Sequence, residues 1–227
     1  MSNIAREIVH VQRMVIILHG ITISPFSIPK LRGDIASQYP QFTLIHNHLE
    51  NENLRYGYPS IQFKVIDKKP MIIGIQDGIE VLKQVFMKLE DVKIEGDKIE
   101  IHEKSIQLDV LRFGQTSDYK SYKLSLPWMA LNQKNHQEYK TLNWHEKRTF
   151  LERILRGNLI SLSKGLDYTI PSIDNIFVQS DLKPVIRNFK NQKMLCFTGT
   201  FRTNFEIPDY LGIGKQTARG FGTVVHQ

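Results

Sequence analysis

The strongest constraint on the fold is the way hydrophobic periodicity switches between two and 3.6 along the first 113 residues. Residues 8–20 alternate towards an apolar run and read as a strand. Ser24-Pro25 then opens a helix in which Ile28, Leu31 and Ile35 recur at helical spacing, ending near Tyr39-Pro40. Residues 58–67 put Ile61, Phe63 and Val65 on one strand face. Asp67-Lys68-Lys69-Pro70 is a turn, and residues 71–75 form the returning strand. Asp77 and Glu80 have capping-box spacing for a helix over 78–89, with Ile79, Leu82, Phe86 and Leu89 inward. Strands resume through 92–113. The order β-α-β-β-α-β predicts a ferredoxin-like arrangement.

The second half begins near Ser117, with a strand predicted over 119–131. Thr141 caps a predicted helix running to about Lys164, with Leu151, Ile154, Leu155, Leu159 and Leu162 inward. Lys147, Arg148, Arg153 and Arg156 decorate it, and a solvated face accounts for them. Strand-like segments follow at 173–182, 184–190 and 193–203, then a glycine loop over 212–222 and a last strand over 221–226. The expected fold is therefore α+β, with two tandem ferredoxin-like (RRM-like) domains. Residues 1–115 would carry a histidine pair and residues 116–227 the glycine loop. The boundary rests on Gly114–Asp118 and on element order, since the halves share no sequence repeat.

Hydrophobic residues make up 41% of the chain and charged residues 23%, which excludes wholesale disorder. The chain carries a formal charge of +7. Seven basic residues against two acidic ones within the last 45 residues supply +5 of it, in the same stretch as the glycine loop. A polyanion is the partner such a concentration suits. Cys196 is the one cysteine, which excludes an internal disulfide framework and a multi-thiolate zinc site. The longest apolar run near the N-terminus, Met14–Leu18, is far short of the ~20 residues of a spanning helix. No signal-peptide pattern is present. The expectation is a reducing, cytoplasmic location with no membrane partner.

Gly212, Gly214, Gly220 and Gly222 bracket a segment holding Lys215 and Arg219. Glycines let backbone amides approach a phosphate, and the two cations add direct contacts. The same spacing fits a glycine-rich turn with solvated charges. It is neither a Walker loop nor a dinucleotide fingerprint. Phe42, Leu44, His46 and His48 share one face if that segment is extended. Two imidazoles so placed suit proton transfer near neutral pH, or a metal; they equally suit two surface histidines at a strand end. Cys196 stands alone, and Glu50 and Glu52 fall in a loop, so no metal or other cofactor is expected. Trp128 and Trp144 read as core or edge packing.

The C-terminal string FRTNFEIPDYLGIGKQTARGFGTVV resembles the glycine-rich signature of the CRISPR-associated endoribonucleases that cut precursor CRISPR RNA within its repeats. Those proteins belong to the RAMP superfamily, with ferredoxin-like domains and a G-x-G-x(5)-G-x-G loop near the C-terminus. The string RYGYPSIQFKVIDKKPMIIGIQDGIEVLKQVF is similar to the N-terminal domain of one branch of that family, where histidines in this region are linked to catalysis. The resemblance implies that His46 and His48 are catalytic, and that Gly212, Gly214, Lys215, Arg219, Gly220 and Gly222 bind RNA. Many members use a Tyr or Lys beside the histidine, and no position here matches well enough to transfer that role.

The activity implied is metal-independent cleavage of repeat RNA. The 2′-hydroxyl attacks the adjacent phosphorus, leaving a 2′,3′-cyclic phosphate and a 5′-hydroxyl. A base removes the hydroxyl proton and an acid protonates the departing 5′-oxygen. The histidine pair supplies at least one role, in an order left open. Lys215 or Arg219 either stabilises phosphate charge or only holds RNA. Partners implied are precursor and mature CRISPR RNA, CRISPR effector-complex proteins and a second copy of the chain. The alternative is a non-catalytic RNA-binding RAMP subunit of an effector complex.

Overall fold

A computed structural model describes residues 8–46, 57–189 and 192–227. Two units emerge. The first is built from His10–Leu111 together with Ala218–Gly220, and the second from Arg112–Thr217 and Phe221–Gln227. Among the described residues, no helix is long and apolar enough to cross a membrane.

The first unit opens with β1 (Val9–His19), a 3₁₀ turn at Pro25–Ser27, α1 (Ile28–Gln38) and α2 (Thr43–His46). Then come β2 (Ile61–Ile66), β3 (Lys69–Ile75), α3 (Gly78–Lys88), β4 (Asp91–Ile94) and β5 (Asp97–Glu100). β6 (Glu103–Leu124) starts in this unit and ends in the next. The strand order β2-β3-β1-β6 is that of a ferredoxin-like sheet, with β4 and β5 forming a separate hairpin. Asp67 and Lys68 both take positive φ (48° and 65°), the two-residue turn that matches strand twist. Met14, Ile16 and Leu18 of β1 and Leu31 and Ile35 of α1 are all fully buried.

Three local expectations fail in this unit. Asp77 is itself helical (φ −57°) and its side chain makes no capping bond, so the spacing of Asp77 and Glu80 does not become a capping box. Val85, not Phe86, joins Ile79, Leu82 and Leu89 inside. The segment expected to extend from Phe42 instead turns helical over Thr43–His46. At 3.6 residues per turn, Leu44 and His46 no longer share a face. His48 lies outside the described residues.

The second unit continues β6 and adds α4 (Gln133–Thr141), α5 (Trp144–Gly165), β7 (Val178–Phe189), β8 (Gln192–Glu206), a 3₁₀ turn at Thr217–Arg219 and β9 (Val224–His226). β9 pairs with β6, β6 with β8 and β8 with β7, so the ferredoxin-like order recurs. Where the first unit has α3 before its last strand, this one has the glycine loop and only a 3₁₀ turn. Gly114–Asp118 lies inside β6, whose register against β8 shifts between Gln115 and Lys120.

The helix expected from Thr141 starts three residues later, as α5, and a further helix, α4, precedes it. Asn132 caps α4, accepting from the Asn135 amide at 2.7 Å. Asn143 and Glu146 then form the capping box that starts α5. β7 starts at Val178 rather than 173 and runs unbroken through Pro184. It is the edge strand of its unit, where a missing amide donor breaks no second ladder. Its core holds Trp128, Tyr122, Phe197, Phe201 and Phe205 against Leu155 and Leu159, all at most 1% exposed.

Candidate nucleic-acid interface

The glycine loop is held by backbone bonds at both ends. Ile213 N donates to Gly222 O at 2.9 Å, Gly222 N to Pro127 O at 2.9 Å, and Lys215 N to Met129 O at 3.1 Å. Leu211, Ile213 and Thr223 are buried beneath it. Gly214 has φ +82°, and a Cβ there would collide with the Trp128 indole nitrogen. That nitrogen is engaged with Asn158 Oδ1 of α5 at 2.9 Å. Gly222 has φ +66°, and its Cβ would land on the Ile213 carbonyl oxygen. Both glycines are thus needed by the loop's own packing, and the Gly222 amide is already used.

The loop's two cations differ. Lys215 is exposed, and partial desolvation lowers its pKa. Arg219 is half-buried, and desolvation lowers its pKa also. Arg219 and Gly220 belong to the first unit, as does His46; Gly212, Gly214, Lys215 and Gly222 belong to the second. His46 ends α2, half-buried, with Nε2 shielded from water.

Sequence reasoning passed over two further cations of the first unit. Arg32 of α1 is 8% exposed, and burial, then the charge of Arg219, brings its pKa down to about 10. Lys64 of β2 is completely buried, and desolvation brings its ammonium down to about 7. A signal for Arg32 was present: it falls four residues after Ile28 and three before Ile35, on the apolar face of α1. Lys64 carried no such signal, because it alternates with Phe63 and Val65 and so reads as the solvent face.

In the second unit a groove of about 860 Å³ lies along α5, β7 and β8, lined among others by Tyr139, Trp144, Lys147, Arg148, Lys183 and Arg202. Trp144 is 72% exposed, not packed as its size suggests. Lys147 sits over the Tyr139 ring, and Arg148 pairs with Glu152 at 3.1 Å. An exposed ring beside cations is a surface on which a base can stack.

Comparison with known proteins places this geometry. The Cas6b N-terminal domain matches residues 11–112 and the Cas6b C-terminal domain residues 114–227. A structure titled "Crystal structure of Cas6b" is 41% identical, covers 96% of this chain and 100% of its own, and superposes with a TM-score of 0.91. One titled "Crystal structure of CRISPR RNA processing endoribonuclease Cas6b" is 38% identical over the same shares, with a TM-score of 0.79. The uncharacterized protein MJ0978 of Methanocaldococcus jannaschii is 34% identical over 142 residues, 63% of this chain and 96% of that protein. Two adjoining domain matches that run from residue 11 to the last residue, on a shared tandem ferredoxin-like fold, make this chain a member of the Cas6b family.

Proposed function

We propose that this chain is an endoribonuclease that cuts precursor CRISPR RNA within its repeats, without a metal. The observation that carries the reading is the match of both Cas6b domains, together with a relative titled a CRISPR RNA processing endoribonuclease that aligns over 96% of this chain. In the proposed reaction the 2′-oxygen bonds to phosphorus as the bond from phosphorus to the 5′-oxygen breaks. One proton leaves the 2′-hydroxyl for a base, and one reaches the 5′-oxygen from an acid. His46 and His48 take at least one of these roles, each worth about 10²–10⁴-fold in rate. Lys215 and Arg219 hold the RNA backbone, beside the glycines of a loop that its own bonds make rigid.

The test is incubation of a CRISPR-repeat RNA with the protein in EDTA, beside a substrate carrying a 2′-deoxy group at the cut. Cleavage of the first alone, with 2′,3′-cyclic phosphate and 5′-hydroxyl ends, is expected. Cutting of the deoxy substrate, or loss of activity in EDTA, would sink the mechanism. Tight binding of repeat RNA with no cutting of either substrate would make the chain a non-catalytic RNA-binding subunit.

A further inference from the structure

Beside the glycine loop, the second unit has a cavity of about 650 Å³. Segments far apart in sequence wall it: the start of α4, the turn end of the β7–β8 hairpin, and Lys215-Gln216 of the loop. All of them belong to that unit. Backbone bonds fix their placement. Trp128 and Phe197 exchange both amide bonds, at 2.8 and 2.9 Å, which ties the segment ahead of α4 to β8. Lys215 N donates to Met129 O, which ties the loop to that same segment. Phe189 meets Phe221 edge-on, with ring centroids 5.6 Å apart, so the end of the hairpin rests against the loop.

The lining divides by chemistry. Met129, Leu131, Met194 and Leu195 give it apolar surface beside the Phe189 ring, and the first two are at most 5% exposed. Gln133, Gln192 and Gln216 bring primary amides, which both donate and accept. Lys193 and Lys215 bring charge, and among the described residues that line the cavity none is acidic. Gln133, Gln192, Lys193 and Lys215 are exposed, and their side chains make no hydrogen bond or ion pair with another described residue. The larger groove along α5 is different: Asp181 lines it, and Glu152 already answers its Arg148.

Apolar surface and an aromatic ring suit the face of a nucleobase, amides suit its edge, and lysines suit the phosphates on either side. The volume lies within the ~300–1,000 Å³ of small-ligand sites, so it admits a nucleotide and not a duplex. A base read in this way must have its edge free, and so must be unpaired. Adenine is the base that offers an amide side chain an adjacent donor and acceptor, at N6 and N7, for a two-bond pair.

We infer that this cavity is a base-reading site for one unpaired adenine nucleotide of the RNA, with Gln133 and Gln192 on the base edge and Lys193 joining Lys215 on the flanking phosphates. That the nucleotide belongs to an RNA chain rests on the endoribonuclease reading above; the preference of the cavity for an adenine nucleotide does not. The loop's cations grip a backbone of any sequence, and the neighbouring α4 and hairpin add selection.

The experiment uses the full chain and fluorescent RNA hexamers of adenine, of cytosine and of uracil, read by anisotropy. The adenine hexamer is expected to bind about tenfold tighter than either pyrimidine hexamer. Gln133→Ala combined with Gln192→Ala is expected to erase that preference and leave the pyrimidine affinities unchanged. Lys193→Ala is expected to weaken all three alike and to lower the slope of log affinity on log salt by about one. If the double variant fails to fold, Gln133→Glu, which keeps the shape and loses the donor, takes its place with the same expected loss of preference.

Equal binding of all three hexamers by the wild type would overturn the site. So would an adenine preference that survives the glutamine changes, since stacking within the hexamer itself would then explain it. Adenosine 5′-monophosphate that competes as well as an unlabelled adenine hexamer would make this a free-nucleotide site and overturn its place on RNA. Cleavage of repeat RNA is measured on the same preparations. A protein that cuts but shows no glutamine-dependent preference defeats the base-reading site alone. One that shows the preference and cuts nothing defeats the endoribonuclease reading and leaves the site standing.

Discussion

The two units share one strand order but treat their last connection and their charges differently. The first closes with α3 ahead of the hairpin and β6, while the second puts a glycine loop before β9. In the second unit, cations of α5 lie at the surface and are answered: Arg148 by Glu152 and Arg153 by Glu138. In the first, Arg32 and Lys64 are buried, and burial depresses the pKa of both. Surface ion pairs of this kind contribute about 0–1 kcal/mol each and say little about purpose. Buried cations are costly enough that their presence calls for a reason. Charge counting along the sequence points to the C-terminal stretch; burial points to the first unit.

The contrast can be broken at several places. The largest effect belongs to the histidine region: His46→Ala combined with His48→Ala is expected to lower the cleavage rate of repeat RNA by at least about 10²-fold while binding persists. Gel-shift and cleavage assays on one preparation check this, and an active double variant would remove both residues from the site. Next comes the rigidity of the loop. Gly222→Ala is expected to destabilise the protein by about 3 kcal/mol, from a strained positive φ and a collision with the Ile213 carbonyl. The urea midpoint is the measurement, and a change below about 1 kcal/mol would mean that the loop yields.

Lys64 gives a pH signature of comparable size. Its pKa is lowered from 10.5 to about 7 by burial. Below the folded value both states hold the proton; between the two values the unfolded chain holds more. Stability should therefore rise with pH across that window, by about 3 kcal/mol between pH 7 and pH 9.5. Lys64→Met should abolish the rise, as read from denaturation midpoints across pH. The smallest effect is expected at the exposed pair. Arg153→Ala, which removes the bond to Glu138, should shift stability by less than about 1 kcal/mol. A larger loss would show that α4 depends on that pair.

Where the sequence was legible, a local pattern and its tertiary outcome coincide. The alternation of Ile61, Phe63 and Val65, the turn at Asp67-Lys68 and the return over 71–75 became the β2–β3 hairpin. The period-3.6 rows of α1 and α5 became buried faces. Failures came where two local signals competed. Thr141 and Asn143 both offer a cap, and Asn143 has Glu146 three residues on, so α5 starts after Asn143 rather than after Thr141. Asp77 has its Glu80 but enters the helix in a helical conformation, from Gln76 at φ +49°, so no side-chain cap forms. Trp144 is large and apolar, yet it stands first in α5, where one turn of helix decides whether it meets the core.

By itself the sequence determined the α+β order of elements, the basic glycine loop and the histidine region, because each is written in spacings of a few residues. Family membership follows from the same strings, extended over both halves. Only the tertiary structure decided which cations lose their water. Desolvation is a property of everything packed around a group, and residues far apart in the chain do that packing. Arg32 looks like any helix arginine until the packing around α1 leaves it 8% exposed and lowers its pKa to about 10. The +7 of the chain locates a polyanion broadly; only packing shows which of its cations are buried.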